Sequence, residues 1–253
     1  MDLKHELKAV FFMWKREMIR FFNSKSRVVA SLGMPFFFLV ILGTGLSGAF
    51  AVRGHTTYLQ FMTPGILSMV ILFGSFFSGI QIIIDRQFGF LKETLVAPVS
   101  RTSIVIGKAL GGATSAMITG LLMLFIASFL GVQINIWAVP LLALLMAILS
   151  VSIVSIGMAF GSAMEDMQGF PVISNLVIMP LFFLSGALFP LDSAPELLKT
   201  ISYLDPLTYA VEAMRFVLTG NAQIGFALSL GVLLAFTFAS IVIAAYLFSR
   251  IEE

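Results

Sequence analysis

The sequence predicts an all-α integral membrane domain with six transmembrane helices, on three observations. Of the 253 residues, 59% are hydrophobic and 11% charged, with a mean hydropathy of +1.03. Soluble domains carry about 25% charge, and Lys, Glu, Arg and Asp belong almost wholly at the surface, so a soluble globule could not be covered by so few. The 15 Lys+Arg and 13 Asp+Glu are absent from residues 28–52, 54–84, 109–164, 167–191 and 216–249. The apolar runs in these gaps are continuous, without the period-two alternation of membrane strands, which requires helices rather than a barrel. These observations exclude an ordinary soluble enzyme, a disordered chain and a nucleic-acid binder. The absence of cysteine removes disulfides, thiolate metal sites and Cys nucleophiles.

A spanning helix needs about 20 apolar residues. Four of the gaps hold one span each, and the gap 109–164 holds two, divided at the polar turn Gly131–Asn135 before the interfacial Trp137. The spans are expected at 28–50, 62–84, 105–130, 137–160, 171–190 and 223–248. The first run follows a patterned 27-residue segment and is too long for a signal-peptide core, so it is read as a retained span. Basic residues set the orientation. Lys4, Lys8, Lys15, Arg16, Arg20, Lys25 and Arg27 precede the first span; Arg86, Lys92, Arg101 and Lys108 lie between the second and third; Arg250 follows the last. Only Arg53, Lys199 and Arg215 fall on the other side. Both termini are therefore expected in the cytoplasm.

Three segments outside the spans carry most of the information in a single domain covering 1–253. Residues 1–27 place Leu3, Leu7, Val10, Phe11, Trp14, Met18, Phe21 and Phe22 at helical spacing with Lys and Arg between them. This is the pattern of an interfacial amphipathic helix, basic toward anionic headgroups. In the cytoplasmic loop 85–101, Phe88, Leu91 and Leu95 share a helical face and Pro98 limits it. That element is either a solvated connector or one that docks on a partner. In 180–220, Ser185–Pro190 interrupts the fifth run. Asp192 or Ser193 is placed to cap a short helix with Pro195 in its first turn. Asp205-Pro206 ends that helix, and a second runs to a C-cap at Gly220. Glu212 and Arg215 stand three apart, a pairing of little worth if solvated.

Other chemistry finds little support. Gly107-Lys108-Ala109 lacks the hydroxyl and the earlier glycine of a phosphate loop and reads as a helix start from which Lys108 reaches headgroups. His5 and His55 fall on opposite sides of the membrane, which does not favour a metal site. An ion-gradient carrier would place acids inside the spans, whereas Asp85, Glu165 and Asp166 lie at their ends. A passive assembly subunit would explain a docking loop but not the outer cap. Gly107-x-x-x-Gly111 and Gly157-x-x-x-Gly161 permit close helix packing within the bundle. Pro64, Pro140, Pro171 and Pro180 mark expected bends. The break near Pro180 suggests that Asn175, Ser185 and the cap line or gate an outward exit.

The stretches DRQFGFLKETLVAPVSR with IVIGKAL, and LSGALFPLDSAPELLKTISYLDPLTYAVEAMR, resemble the ABC-2 type permeases, the membrane subunits of ABC exporters for drugs, lipid-linked polysaccharides and related molecules. The likeness extends over essentially the whole chain. Its more specific part is the order Gly186, Pro190, Pro195, Pro206, Tyr209, Glu212, Arg215. Asp85 stands where many relatives carry Glu. The resemblance implies that Asp85, Arg86, Phe88, Gly89, Leu91, Glu93 and Pro98 belong to a coupling helix seated in a separate ATP-binding subunit. It makes the helix bearing Trp14, Lys15, Arg16 and Arg20 the second contact. Two permeases, expected as a homodimer, would join two ATPases in a prokaryotic cytoplasmic (inner) membrane, with lipids and no nucleic acid as further partners. ATP and Mg would bind the partner, leaving this chain without cofactor or catalytic residues. The expected outer cap comprises Asn175, Pro180, Gly186, Pro190, Pro206, Tyr209, Glu212 and Arg215.

Overall fold

A computed structural model describes residues 3–46, 57–87, 99–164 and 169–250. Among them the ordered elements are helical. Helix α1 (Leu3–Asn23) is amphipathic, with Ala9 and Met18 buried while Leu3, Leu7, Phe11, Phe12, Ile19 and Phe22 are exposed. The chain turns by 70° near Ser24 into α2 (Lys25–Phe38), which continues as a π-helical segment, Leu39–Thr44. Helices α3 (Tyr58–Ser78) and α4 (Ile80–Gln87) follow, then α5 (Arg101–Phe129). A 3₁₀ turn, Ile136–Ala138, leads into α6 (Val139–Ala163), followed by α7 (Gly169–Leu184). After a second 3₁₀ turn, Leu191–Ser193, come α8 (Glu196–Leu204), α9 (Pro206–Thr219) and α10 (Phe226–Ser249).

Four of the six expected spans are helices long and apolar enough to cross a bilayer: Tyr58–Asp85, Arg101–Phe129, Ile136–Ala163 and Phe226–Ser249. The described part of the expected first span lies on α2 with its π-helical end, and residues 47–50 fall outside the described residues. The expected fifth span, 171–190, stops early. Helix α7 has 16 residues, about 24 Å of rise against a hydrocarbon core of about 30 Å. Its apolar sequence continues, but Gly186 takes φ +68 and Ser185–Phe189 turns away from the axis. Pro140 is not a bend: it occupies the first turn of α6, where a missing N–H costs little. Asp192 and Ser193 belong to the 3₁₀ turn, and Pro195 holds the N-cap position of α8 without a side-chain hydrogen bond.

Helix α3 is the centre of the bundle, with every residue from Phe61 to Leu72 buried. It packs against α5, α6 and α9. Where Gly79 crosses Gly157 and Gly161 the contact is backbone on backbone, with the Phe76 and Phe160 rings beside it at 5.7 Å between centroids. A methyl group at Gly79 would overlap the Gly157 backbone. One at Gly157 would lie 2.5 Å from Phe76 O, and one at Gly161 2.7 Å from Gly79 O. The first small-residue motif does a different job, since α1 lies across it. A Cβ at Gly107 would meet Met13 Cβ at 2.6 Å, and one at Gly111 would meet Glu17 Cβ at 2.5 Å. Helix α10 packs on α6 and α9 and exposes Leu228, Leu234, Phe238, Val242 and Ile243.

Because backbone cannot yield as a flexible side chain can, Gly157→Ala is expected to destabilise by about 2–3 kcal/mol, the upper range for overpacking. Thermal unfolding in detergent measures this, with Gly231→Ala, where no neighbour lies within 4 Å of the added methyl, as the control that changes little.

Candidate functional site

At the α1 end, the backbone amides of a new helix and a cluster of charges are resolved together. Ser100 is the N-cap of α5, its Oγ accepting from Ser103 N at 3.1 Å. Glu6 on α1 accepts from Ser100 N at 3.2 Å and from Ser100 Oγ at 2.7 Å. Hydrogen bonds from Ser103 and Ser100 hold the Glu6 carboxyl below the usual carboxylate range. Further along α1, Trp14 Nε1 donates to Thr114 Oγ1 on α5 at 3.1 Å.

One turn later α1 reaches Asp85, near the end of α4 and 1% exposed. Lys108 Nζ from α5 donates to Asp85 Oδ2 at 2.5 Å, and Arg16 Nη2 from α1 to Oδ1 at 2.9 Å. Arg20 adds Nη2 at 3.7 Å from Oδ1 and donates through Nη1 to Gln81 Oε1. Glu17 Oε1 lies 3.7 Å from Arg20 Nη1. A buried carboxylate needs compensating charge, and this one draws it from two other helices. Lys108 does not reach outward to headgroups as the sequence suggested. Gly107, Ala109, Gly111 and Gly112 place it on the buried side of α5.

The predicted residues divide here. Asp85, Arg16 and Arg20 form one cluster and Trp14 is adjacent, while Lys15 is exposed. Arg86 lies in the last turn of α4. Phe88, Gly89, Leu91, Glu93 and Pro98 fall outside the described residues. Lys108, Gln81, Glu6 and Ser100 were not among the sequence candidates. The available signal was the apolar setting of Lys108 beside two glycines.

The cap at the other end is organised by Glu212 and Arg215, 0% and 4% exposed. They pair through Arg215 Nη1 and Glu212 Oε1, as their spacing allowed, and the pair is buried rather than solvated. Glu212 Oε2 accepts from Gln223 N at 2.5 Å and Ile224 N at 3.2 Å, holding the loop into α10. Arg215 Nη2 donates to Gly186 O at 2.8 Å, and its guanidinium stands 4.0 Å over the Phe61 ring. Tyr58 OH donates to Leu188 O at 2.8 Å. Phe61 and Tyr58, both on α3, were absent from the sequence candidates.

Pro206 is in the first turn of α9 behind Asp205, whose Oδ1 accepts from Leu207 N at 2.8 Å. Tyr209 OH donates to Tyr203 O at 2.8 Å, tying α9 to α8. Pro190 precedes the 3₁₀ turn, and Gly220 ends α9 at φ 73. Asn175 and Pro180 lie on the exposed side of α7, with Val172 and Leu176, and do not join the Arg215 cluster. Ser185 is buried and donates to Phe182 O. Burial raises the Asp205 carboxyl to about 7, against the opposing effect of the Leu207 hydrogen bond.

Among the described residues, four membrane-length apolar helices around a buried core, closed by charge clusters at both ends, define an integral membrane protein. The profile described as ABC-2 type transporter matches residues 8–219, and the chain belongs to that family. It is 31% identical over 220 residues to the transport permease ycf38 of Cyanophora paradoxa, covering 83% of this chain and 74% of that one. The inner membrane transport permease YadH of Escherichia coli K12 is 24% identical over 246 residues, 96% of this chain and 95% of its own. Nodulation protein J of Rhizobium leguminosarum bv. viciae is 25% identical over 242 residues, covering 94% and 93%.

Two outcomes follow from this geometry. In double-mutant cycles the Asp85–Lys108 coupling is expected at about 2 kcal/mol and Asp85–Arg16 below about 1 kcal/mol. The Arg16 side chain is 34% exposed against 6% for Lys108, and solvent screens the former. Second, a folded-state Asp205 value near 7, above the ordinary 3.8, means the folded chain keeps a proton that the unfolded chain has lost. Stability contributed there falls as pH rises from 4 to 7 and then levels. Asp205→Asn should therefore gain on wild type across that window in thermal unfolding and run parallel to it above pH 8.

Proposed function

We propose that this chain is the permease subunit of an ATP-driven exporter. It is read as having six transmembrane segments, α2 and α7 being the two short ones, with α1 and segment 88–98 on the cytoplasmic side. It works as a homodimer with two copies of a separate ATP-binding subunit that carries ATP and Mg, and it performs no catalysis itself. The cargo is a hydrophobic or amphiphilic molecule moved outward across a prokaryotic inner membrane. Family membership and the permease relatives support transport and an ATP-binding partner.

The observation that carries the coupling role is that α1 grips both ends of segment 88–98. Arg16 and Arg20 hold Asp85 just before it, and Glu6 holds Ser100 just after it. A load applied to that segment reaches α4, α5 and α1 together, because the same side chains tie all three. Segment 88–98 with the adjoining Arg86 is the proposed seat for the ATP-binding subunit, Arg86 and Glu93 being the charged contacts and Phe88 the apolar one.

Reconstituted with its ATP-binding subunit, Arg86→Glu, Glu93→Arg and Phe88→Ala in combination are expected to detach that subunit. Glu6→Ala with Asp85→Ala should leave it bound while most stimulated ATP hydrolysis is lost. Unchanged binding and stimulation in the triple variant would remove segment 88–98 from the coupling role.

A further inference from the structure

A cavity of about 560 Å³ opens among α1, α2, α3, α4 and α5. It lies beside the Asp85 cluster without including Arg16, Arg20 or Lys108 in its walls. The size falls in the ~300–1,000 Å³ range of small-molecule sites. Most of the lining is apolar, and three of its hydroxyls share one property. Ser31 Oγ donates to Val28 O at 2.9 Å, Ser115 Oγ to Gly112 O at 2.8 Å, and Thr119 Oγ1 to Ser115 O at 2.9 Å. A hydroxyl has one proton, so each of the three has only lone pairs left to offer. Gln81 Oε1 already accepts from Arg20, and the Gln81 amide nitrogen and the Ser78 hydroxyl complete the polar lining.

The ionisable residue on the wall is Glu17. Its side chain is 11% exposed, and its contact with Arg20 is a loose 3.7 Å. Arg20 is meanwhile committed to Gln81 and Asp85. The Glu17 stem packs on Gly111, one turn along α5 from Ser115. A carboxylate whose cationic neighbours, Arg20 and Lys108, are shared with Asp85, set beside three hydroxyl oxygens that can only accept, favours a donor bearing positive charge.

We propose that this cavity binds a single-chain amphiphile with a protonated amine head, a class of ligand that an ammonium with three N–H donors represents. The ammonium sits against Glu17 and the Ser115 oxygen, and the chain lies along Phe73 and its apolar neighbours. An anionic head would meet Glu17 first, because the nearby guanidiniums are turned toward Asp85.

The chain has no cysteine, so a single Met34→Cys on the cavity wall reports occupancy. The full-length protein in phosphatidylcholine nanodiscs is treated with N-ethylmaleimide at pH 7.5, with dodecylamine, dodecanol or dodecyl sulfate at equal mole fraction. Dodecylamine is expected to slow modification about tenfold, the effect of one charge-assisted contact of about 1.4 kcal/mol, while the other two change it little. Glu17→Gln should cancel the protection without altering the rate in the absence of amine, and Glu17→Asp should retain part of it. Equal protection by dodecanol would mean an apolar groove only, and stronger protection by dodecyl sulfate an anion site; either overturns the proposal. So does amine protection that survives Glu17→Gln. If Glu17→Gln does not fold, the head-group series on the unmodified residue decides the question. No readout involves an ATPase, so this proposal and the exporter reading fail separately.

Discussion

A carboxylate shut away from water must be compensated by cations brought to it, and the position of Asp85 imposes that requirement on three helices at once. Lys108 answers from α5, Arg16 and Arg20 answer from α1, and Asp85 itself is fixed near the end of α4. The demand orients α1, whose apolar exposed side would otherwise leave its rotation undetermined. Glycines at 107 and 111 let the α1 backbone come close enough for Arg16 to reach. Without the charge the close approach would have no register, and without the small residues the charge would be out of range.

The same logic recurs at the opposite end. Glu212 and Arg215 are buried together, and their remaining valences are spent on backbone: Gln223 and Ile224 amides for the acid, the Gly186 carbonyl for the base. A buried pair contributes little net stability on its own. Its structural effect is to hold the 185–190 turn, α9 and the loop into α10 in one arrangement. The two clusters share a strut. The helical run Tyr58–Asp85 carries Phe61, under the Arg215 guanidinium, near one end and Asp85 at the other.

Much of this was legible in the sequence because lipid leaves few options. Continuous charge-free runs located the helices, and the three-and-four spacing of Leu3 to Phe22 located α1. Asp205-Pro206 and Gly220 marked the ends of α8 and α9 because proline and a left-handed glycine have narrow uses. Pairing across sequence distance was not legible. Lys108 resembles a snorkelling lysine until Asp85 is placed beside it, and Arg215 a rim residue until Phe61 and Gly186 enclose it. Helix α7 was overestimated for a related reason: hydropathy continues through Leu188 and Phe189, so the interruption at Ser185–Pro190 was kept inside the span, whereas the helix ends at Leu184 and Gly186 turns the chain at φ +68. Asn175 and Pro180 were grouped with the cap by proximity in sequence, whereas α7 turns them to its other side.

The seam where Gly79 meets Gly157 and Gly161 has a thermal consequence. Helices in a bilayer are not driven together by water exclusion, and where the three glycines meet there is no side chain between the backbones, the nearest being the Phe76 and Phe160 rings. What holds this crossing is dispersion, between the closely approaching backbones and between the Phe76 and Phe160 rings. Hydrophobic adhesion weakens on cooling, and these contacts do not depend on it. The central crossing of α3 and α6 thus keeps its grip in the cold, where a seam that relied on expelling water would loosen.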